Sequence, residues 1–343
     1  MIITLNKNIP HLPISLYPYL PISLYPHTSF SYRFTTMKCT PITMTTATNP
    51  TQINSGIGGT KNFYNWNWQD KHYRVVYETI GAGNPVLLLP AFSTVSSRTE
   101  MKGIANLLAT NYHVTVLDWL GFGESQCPTV DYNPVLFHQL LADFIKSVFN
   151  NNSIIVIAAG HASGYALKFA QDNPDSISKL ILVAPTWKGP LRVMGLPDGV
   201  RNGVKNLVRS PWLGQSLYYL NTTPSFLRLM YKRHVYVDET KLTPEFIAQK
   251  HQITSKDGGR YAPAAFVTGA IDPVANREEF LQLLDSLPMP LLMILAENAP
   301  PKSKAEMIAM AELEQVQTVR LSGTLGISEE YHEAVTAVIE DFI

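Results

Sequence analysis

Acidic side chains are missing from the first 69 residues, and Asp70 is the first Asp or Glu in the chain. Cysteine is nearly missing throughout: Cys39 and Cys127 are the only two in 343 residues. Two thiols cannot build a disulfide framework or a cysteine-based zinc site, and they fit a reducing, cytoplasmic compartment. No run of about 18 consecutive apolar residues occurs, so no transmembrane helix is expected. Charge is scarce at 16% of residues, and 27 basic side chains balance 27 acidic ones, so no strong overall field points to nucleic acid or acidic membranes. There is no G-x-x-x-x-G-K-[ST] loop, no G-x-G-x-x-G after a strand, and no H-E-x-x-H or Cys/His cluster. The expected cofactor set is therefore none, with no metal and no nucleotide.

The N-terminal stretch contains proline and hydroxyl groups instead. Leu12–Pro18 reads LPISLYP and Leu20–Pro26 repeats it letter for letter. The prolines remove backbone donors, so neither a membrane helix nor a core helix fits there. Two copies are too few for a stacked repeat fold. The composition points to a disordered leader over residues 1–60, with the true start at Met37 or Met44. A plastid-type transit peptide is the alternative, for which Arg33, the stretch's only arginine, is a weak match.

From His72 onward the apolar pattern is regular. Strand signals fall at Tyr73–Glu78, Pro85–Leu89, His113–Asp118, Ile154–Ala159, Leu180–Ala184, Leu291–Ala296 and Gln317–Leu321. Between them lie helix signals: a capping box at Ser97 and Glu100, Asn133-Pro134 opening an amphipathic helix, and a helix near Ser163–Ala170. Later helices are expected with caps at Ser303 and Glu306, and from Glu329 to the end. Short apolar strands alternating with helices describe an α/β protein with a mostly parallel sheet covered on both faces. Between Thr186 and Ile271 the alternation stops, and Thr223-Pro224 and Thr243-Pro244 start helices. The expected organisation is a core over 61–185 and 276–343, with a helical cap at 186–275 roofing the carboxyl ends of the strands.

Three pieces then resemble the α/β-hydrolase superfamily, in its capped esterase, lyase and epoxide-hydrolase-like branch. Leu87–Ser97 (LLLPAFSTVSS) resembles the strand and loop that supply one oxyanion-hole amide. Leu117–Ser125 (LDWLGFGES) resembles the Asp-x-x-Gly-x-Gly-x-Ser turn. Gly160-His161-Ala162-Ser163-Gly164 resembles the nucleophile elbow G-x-S-x-G. The resemblance implies a nucleophile at 162, an acid after the strand Leu291–Ala296, and a base histidine after the last strand. This chain has Ala162, Ala299 and either Leu325 or Gly326 at those places, and Pro90-Ala91 where the family has His-Gly.

Ser163 is the nearest remaining hydroxyl, but one helical step turns it about 100° from the elbow tip, and helix capping suits it better. His161 is expected to be a satisfied structural histidine. His332 falls beside the apolar face of the last helix, and His234 and His251 lie in the cap. Glu297 adjoins the vacant acid site as a solvated or capping carboxylate. Asp118 belongs to its turn, and Asp272 before Pro273 reads as a helix start. The amides of Ala91, Phe92 and Ser163 would form any surviving oxyanion hole, and Phe92, His161, Ala162 and Trp187 are the expected pocket lining. The leading expectation is a non-catalytic protein that binds a small apolar molecule, or a partner, at the former active site. The alternative is an esterase-like hydrolase or lyase using relocated groups such as Ser163 with a cap histidine. A scaffolding protein with a collapsed pocket is the third.

Overall fold

The computed structural model describes residues 56–150, 152–285 and 287–343. Most of the proline-rich leader, with Cys39 and the two candidate starts, lies outside the described residues. Its assigned boundary at 60 is too late, because Ile57 is fully buried and its amide donates to Glu78 Oε2 at 2.6 Å.

Strand β1 (Thr60–Trp68) is missing from the sequence expectation, because Asn62, Asn65 and Asn67 dilute its strand character. Its aromatics nevertheless recur at every second residue. Tyr64 packs edge-on to Phe144, Trp66 stacks on Trp68, and the Trp66 indole donates to Asp143. A two-residue turn at Gln69 and Asp70, both at positive φ, leads into the antiparallel partner β2 (Lys71–Ile80).

The alternation then runs as expected. It passes through β3 (Asn84–Leu89), α1 (Lys102–Leu108), β4 (Tyr112–Leu117), α2 (Pro134–Phe149), β5 (Ile154–Ala159), α3 (Ala162–Asp172) and β6 (Ile177–Val183). Asn133 caps α2 by accepting the Leu136 amide at 3.0 Å, with proline at the first helical position. A helical segment follows: α4 (Pro190–Val193), α5 (Asp198–Arg209), α6 (Pro211–Asn221), α7 (Pro224–Met230), α8 (Pro244–Thr254) and α9 (Tyr261–Thr268). Five of these six have proline or its equivalent punctuation at the start: Pro190, Pro211, Pro224 and Pro244 occupy the first helical position, and Pro197 is the cap of α5. Then come α10 (Arg277–Gln282), β7 (Leu291–Ala296), α11 (Pro301–Ala311), β8 (Gln317–Leu321), α12 (Ile327–Glu330) and α13 (His332–Phe342).

The eight strands form one sheet in the order β1-β2-β4-β3-β5-β6-β7-β8, parallel from β4 to β8. All six residues of β5 and of β7 are buried, which explains their unbroken apolar runs. The helical segment touches the core at residues that follow strand carboxyl ends. Lys256 donates to the Gly123 carbonyl, Arg209 to that of Val130, and Gly326 donates its amide to Val235.

Three local expectations need correction. Ser97 does not cap a helix: its hydroxyl bonds Thr99 Oγ1 at 2.5 Å and the first turn, Arg98–Met101, is 3-10. The hydroxyl is engaged by Thr99, and the Glu100 amide donates to the Ser97 carbonyl instead. Ser303 lies inside α11, which begins earlier because Pro301 takes its first position. The last helix is broken at Tyr331, where the Glu330 carboxylate turns away to accept the Val237 and Asp238 amides at 2.9 and 2.7 Å.

Candidate functional site

The turn from β5 to α3 is where the resemblance puts its chemistry. Gly160 takes φ +51°, and a methyl there would press on the Ala91 side chain, so this glycine brings the loop after β3 close to the turn. Gly164 serves the opposite side, because a methyl on it would overlap Pro273. Ala162 itself is fully buried. It is not among the described non-glycine residues with positive φ, which are Gln69, Asp70, Asn150 and Ala184. The left-handed residue of this turn is Gly160, and Ala162 follows as the enclosed first residue of α3.

The side chain of His161 is packed among rings. His161 is 1% exposed and meets Phe92 edge-on at 6.0 Å and Phe266 of α9 edge-on at 5.3 Å. Phe92 stacks on Trp119 at 4.8 Å and packs against Phe137 and Tyr165. Ser163 is buried as well. Its hydroxyl donates back to the Ala158 carbonyl at 3.3 Å and its amide to Gly160 at 3.2 Å, so both donors are used inside the turn. It is not the helix cap, a position held by His161.

Asp272 is the residue that sequence reasoning misread. It starts no helix, since α10 opens after Asn276. Its carboxylate accepts the Gly189 amide and Arg192, each at 2.8 Å, and stands 3.4 Å from His161 Nε2. His161 Nε2 also lies 3.3 Å from the Ile271 carbonyl, while Nδ1 has no hydrogen-bond partner among the described residues. Two acceptors at Nε2 fix the proton there and leave Nδ1 as a bare acceptor. Only the pairing of an Asp before a proline with a buried histidine far away in sequence could have signalled this contact.

The other candidates are dispersed. Ala299 is 6% exposed and its amide closes a turn onto Ala296. Gly326 is buried against Val235 and donates its amide to that residue's carbonyl, and Leu325 is half-buried beside it. Glu297 is exposed, His332 packs on Gly103, and His251 Nδ1 meets the Thr222 carbonyl at 2.7 Å. Burial, reinforced by Arg233, lowers the His234 imidazole below its usual range. Trp187 lines the larger of the two best-formed cavities, about 160 Å³ beside Lys188, Arg277, Lys302 and Glu306. The other holds about 10 Å³ beside Ser96, Phe122 and Tyr218. Phe92, His161 and Ala162 line neither.

Two buried polar clusters flank this centre. In the first, Arg98 is fully buried between Glu78 at 2.9 Å, Asp118 and Glu124. The Asp-x-x-Gly-x-Gly-x-Ser turn exists to hold Asp118 there. Gly123, at φ +50°, lies against the carboxylate where a methyl would overlap it, and Ser125 donates to the Asp118 carbonyl. In the second, Lys250 of α8 is 1% exposed and pairs with Glu329 of α12 at 2.7 Å. Glu100 joins it: burial pushes its carboxyl up to about 8, Lys250 opposes that rise, and Glu329 adds to it. No group of three His, Cys, Asp or Glu side chains among the described residues is placed to hold a metal ion.

Known proteins place this arrangement. Residues 84–318 match the family model of the alpha/beta hydrolase fold. A Synechocystis sp. protein provisionally named a non-heme chloroperoxidase is 28% identical over 133 residues, covering 38% of this chain and 47% of its own length. The chain thus spans about half the length of that curated relative. A 2-hydroxy-6-oxo-6-(2'-aminophenyl)hexa-2,4-dienoic acid hydrolase of Metapseudomonas resinovorans is 22% identical over 227 residues, 61% of this chain and 76% of that one. The thermophilic esterase of Thermogutta terrifontis superposes with a TM-score of 0.62 at 22% identity, over 83% of this chain and 98% of the esterase. The eight-stranded sheet, its flanking helices and the glycine-lined turn after β5 make this chain a member of the α/β-hydrolase-fold family.

Proposed function

We propose that this chain is a non-catalytic member of its family, in which the former catalytic centre has become packed core beneath a helical cap. One observation carries the reading: Ala162 is a fully buried methyl at the start of α3, and the neighbouring His161 is packed between Phe92 and Phe266. A methyl cannot attack a carbonyl, and loss of a serine nucleophile alone costs on the order of a million-fold in rate. Ser163 does not replace it, because its hydroxyl and amide are both spent within the turn. The family's other chemistry would need an acid at Ala299 and a base at Leu325 or Gly326, and those side chains cannot exchange a proton. A small apolar ligand at this centre would have to displace the ring packing of His161 on Phe92 and Phe266. The relatives named as hydrolases supply the fold for this reading and nothing about its chemistry.

A serine-directed fluorophosphonate probe tests the proposal. No covalent adduct is expected at Ser163 by mass spectrometry of the whole chain. An adduct at Ser163 that disappears in Ser163→Ala would overturn the reading.

A second reading rests on His161 and Asp272. An imidazole whose Nε2 faces a buried carboxylate, with Nδ1 unpaired, is arranged as a proton acceptor. It calls for a substrate that displaces Phe266, and its activity would vanish in His161→Gln.

A further inference from the structure

Helix α6 is apolar on both sides. Leu217 and Tyr218 are buried with Gly214, yet Trp212 is 88% exposed, Tyr219 61%, Leu213 55% and Leu220 39%. At about 100° per residue these four exposed side chains, with Ser216, share one outward stripe roughly 120° wide. A surface helix sets polar residues opposite its buried face, whereas a helix apolar all round is covered. The helices packed on either side extend the exposed apolar surface with Leu207 on α5 and Leu229 on α7.

The stretch of chain that carries this stripe holds basic side chains and no acidic ones. No Asp or Glu occurs between Gly199 and Val237, a stretch that carries Arg201, Lys205, Arg209, Arg228, Lys232 and Arg233. Elsewhere the chain has more acids than bases, since its totals balance. Arg228, Lys232 and Arg233 are exposed. Arg209 and Arg228 donate to the carbonyls of Val130 and Leu242, contacts that leave their charge in place. Three others reach acids outside the stretch: Arg201 meets Asp198, Lys205 meets Asp131, and Lys232 meets Glu239.

We propose that the outer face of α5–α7 docks on an anionic lipid bilayer, with Trp212, Leu213, Tyr219 and Leu220 entering the boundary between headgroups and acyl chains. Trp and Tyr favour that boundary, and cations beside them meet the lipid phosphates. The contact is peripheral, because no helix among the described residues is long and apolar enough to cross a membrane. A second copy of the chain fits less well, since a two-fold interface would set this cation-rich face against itself. The inference does not depend on whether the centre at Ala162 is catalytic.

Flotation of the full chain with phosphatidylcholine vesicles, with and without phosphatidylserine, tests it. Binding is expected only with phosphatidylserine and is reversed by high salt, because the attraction is screened. The Trp212→Ser/Leu213→Ser double variant should bind on the order of a hundredfold more weakly, from the loss of two inserted apolar side chains. The Arg228→Ala/Lys232→Ala/Arg233→Ala variant should lose about a hundredfold as well, one contribution per cation removed. Both sets replace exposed side chains, and an unchanged thermal midpoint would show the fold intact. Failure to float with either vesicle, equal flotation with both, or undiminished binding by the Trp212/Leu213 variant would overturn the proposal. So would a wild-type dimer that the same double variant turns into a monomer, because the stripe would then be a self-interface.

Discussion

Arg98→Met is expected to remove about 3–5 kcal/mol of folding stability, the range found when one partner of a buried ion pair is deleted. The Arg98 guanidinium is fully buried and donates to Glu78, Asp118 and Glu124, and its backbone amide donates to Asp118 as well. Methionine fills much of the volume and supplies no positive charge. Asp118 then keeps the Arg98-position and Glu124 amides as donors but loses the cation that opposes its burial, which already pushes its carboxyl above the usual range. In the variant only the two amides still oppose that upward push, so folded Asp118 takes up a proton more readily than the unfolded chain does. The deficit should therefore shrink as pH falls and grow as it rises through the carboxylate range. Urea unfolding of wild type and variant at two pH values measures it. A loss below about 1 kcal/mol would mean that the cluster behaves like a surface ion pair.

Stability should also fall as pH rises from weakly acidic to weakly alkaline, through Glu100. Its folded carboxyl is pushed up to about 8 by burial first, against an ordinary value of 4.5. Lys250 of α8 pulls it down, Glu329 of α12 and Asp118 push it up, and Tyr231 and Tyr236 crowd the same space. Because the folded value is raised, the folded chain holds a proton that the unfolded chain has released. The stabilising contribution is complete below the unfolded value and is lost as pH climbs through the folded one. The slope is at most about 1.4 kcal/mol per pH unit for one proton. Glu100→Gln imitates the protonated form, so its stability should be flatter over this window, and its advantage over wild type should open above the unfolded value of 4.5 and be complete near pH 8. Wild-type stability that is level across the window, or a Gln variant that tracks it, would contradict this reading of the cluster.

Much of the fold was legible because the strands of a covered parallel sheet are apolar throughout. Ile154–Ala159 and Leu291–Ala296 announce themselves to the residue. β1 was not, since its asparagines mask an alternation of aromatics that only pairing with β2 makes meaningful. The helix starts at Asn133, Thr223 and Thr243 were legible because proline at the first helical position is a local signal. The false starts at Ser97 and Ser303 have different causes: Pro301 takes the first position of α11, whereas the Ser97 hydroxyl is engaged by Thr99 Oγ1. At the site, the glycine-bearing turn between β5 and α3 could be read from motif spacing. The packing of His161 with Phe92, Phe266 and Asp272 could not, because these residues come from three separated segments.

The central claim is that no acyl-transfer chemistry survives at the turn after β5, and steady-state hydrolysis of one activated ester by wild type and Ala162→Ser tests it most directly. Both proteins are expected to match the uncatalysed rate: the wild type has no nucleophile, and a serine placed in this closed turn has no base to activate it. Saturable hydrolysis by the wild type, well above the uncatalysed rate and unchanged in Ala162→Ser, would contradict the account and locate the chemistry elsewhere in the molecule.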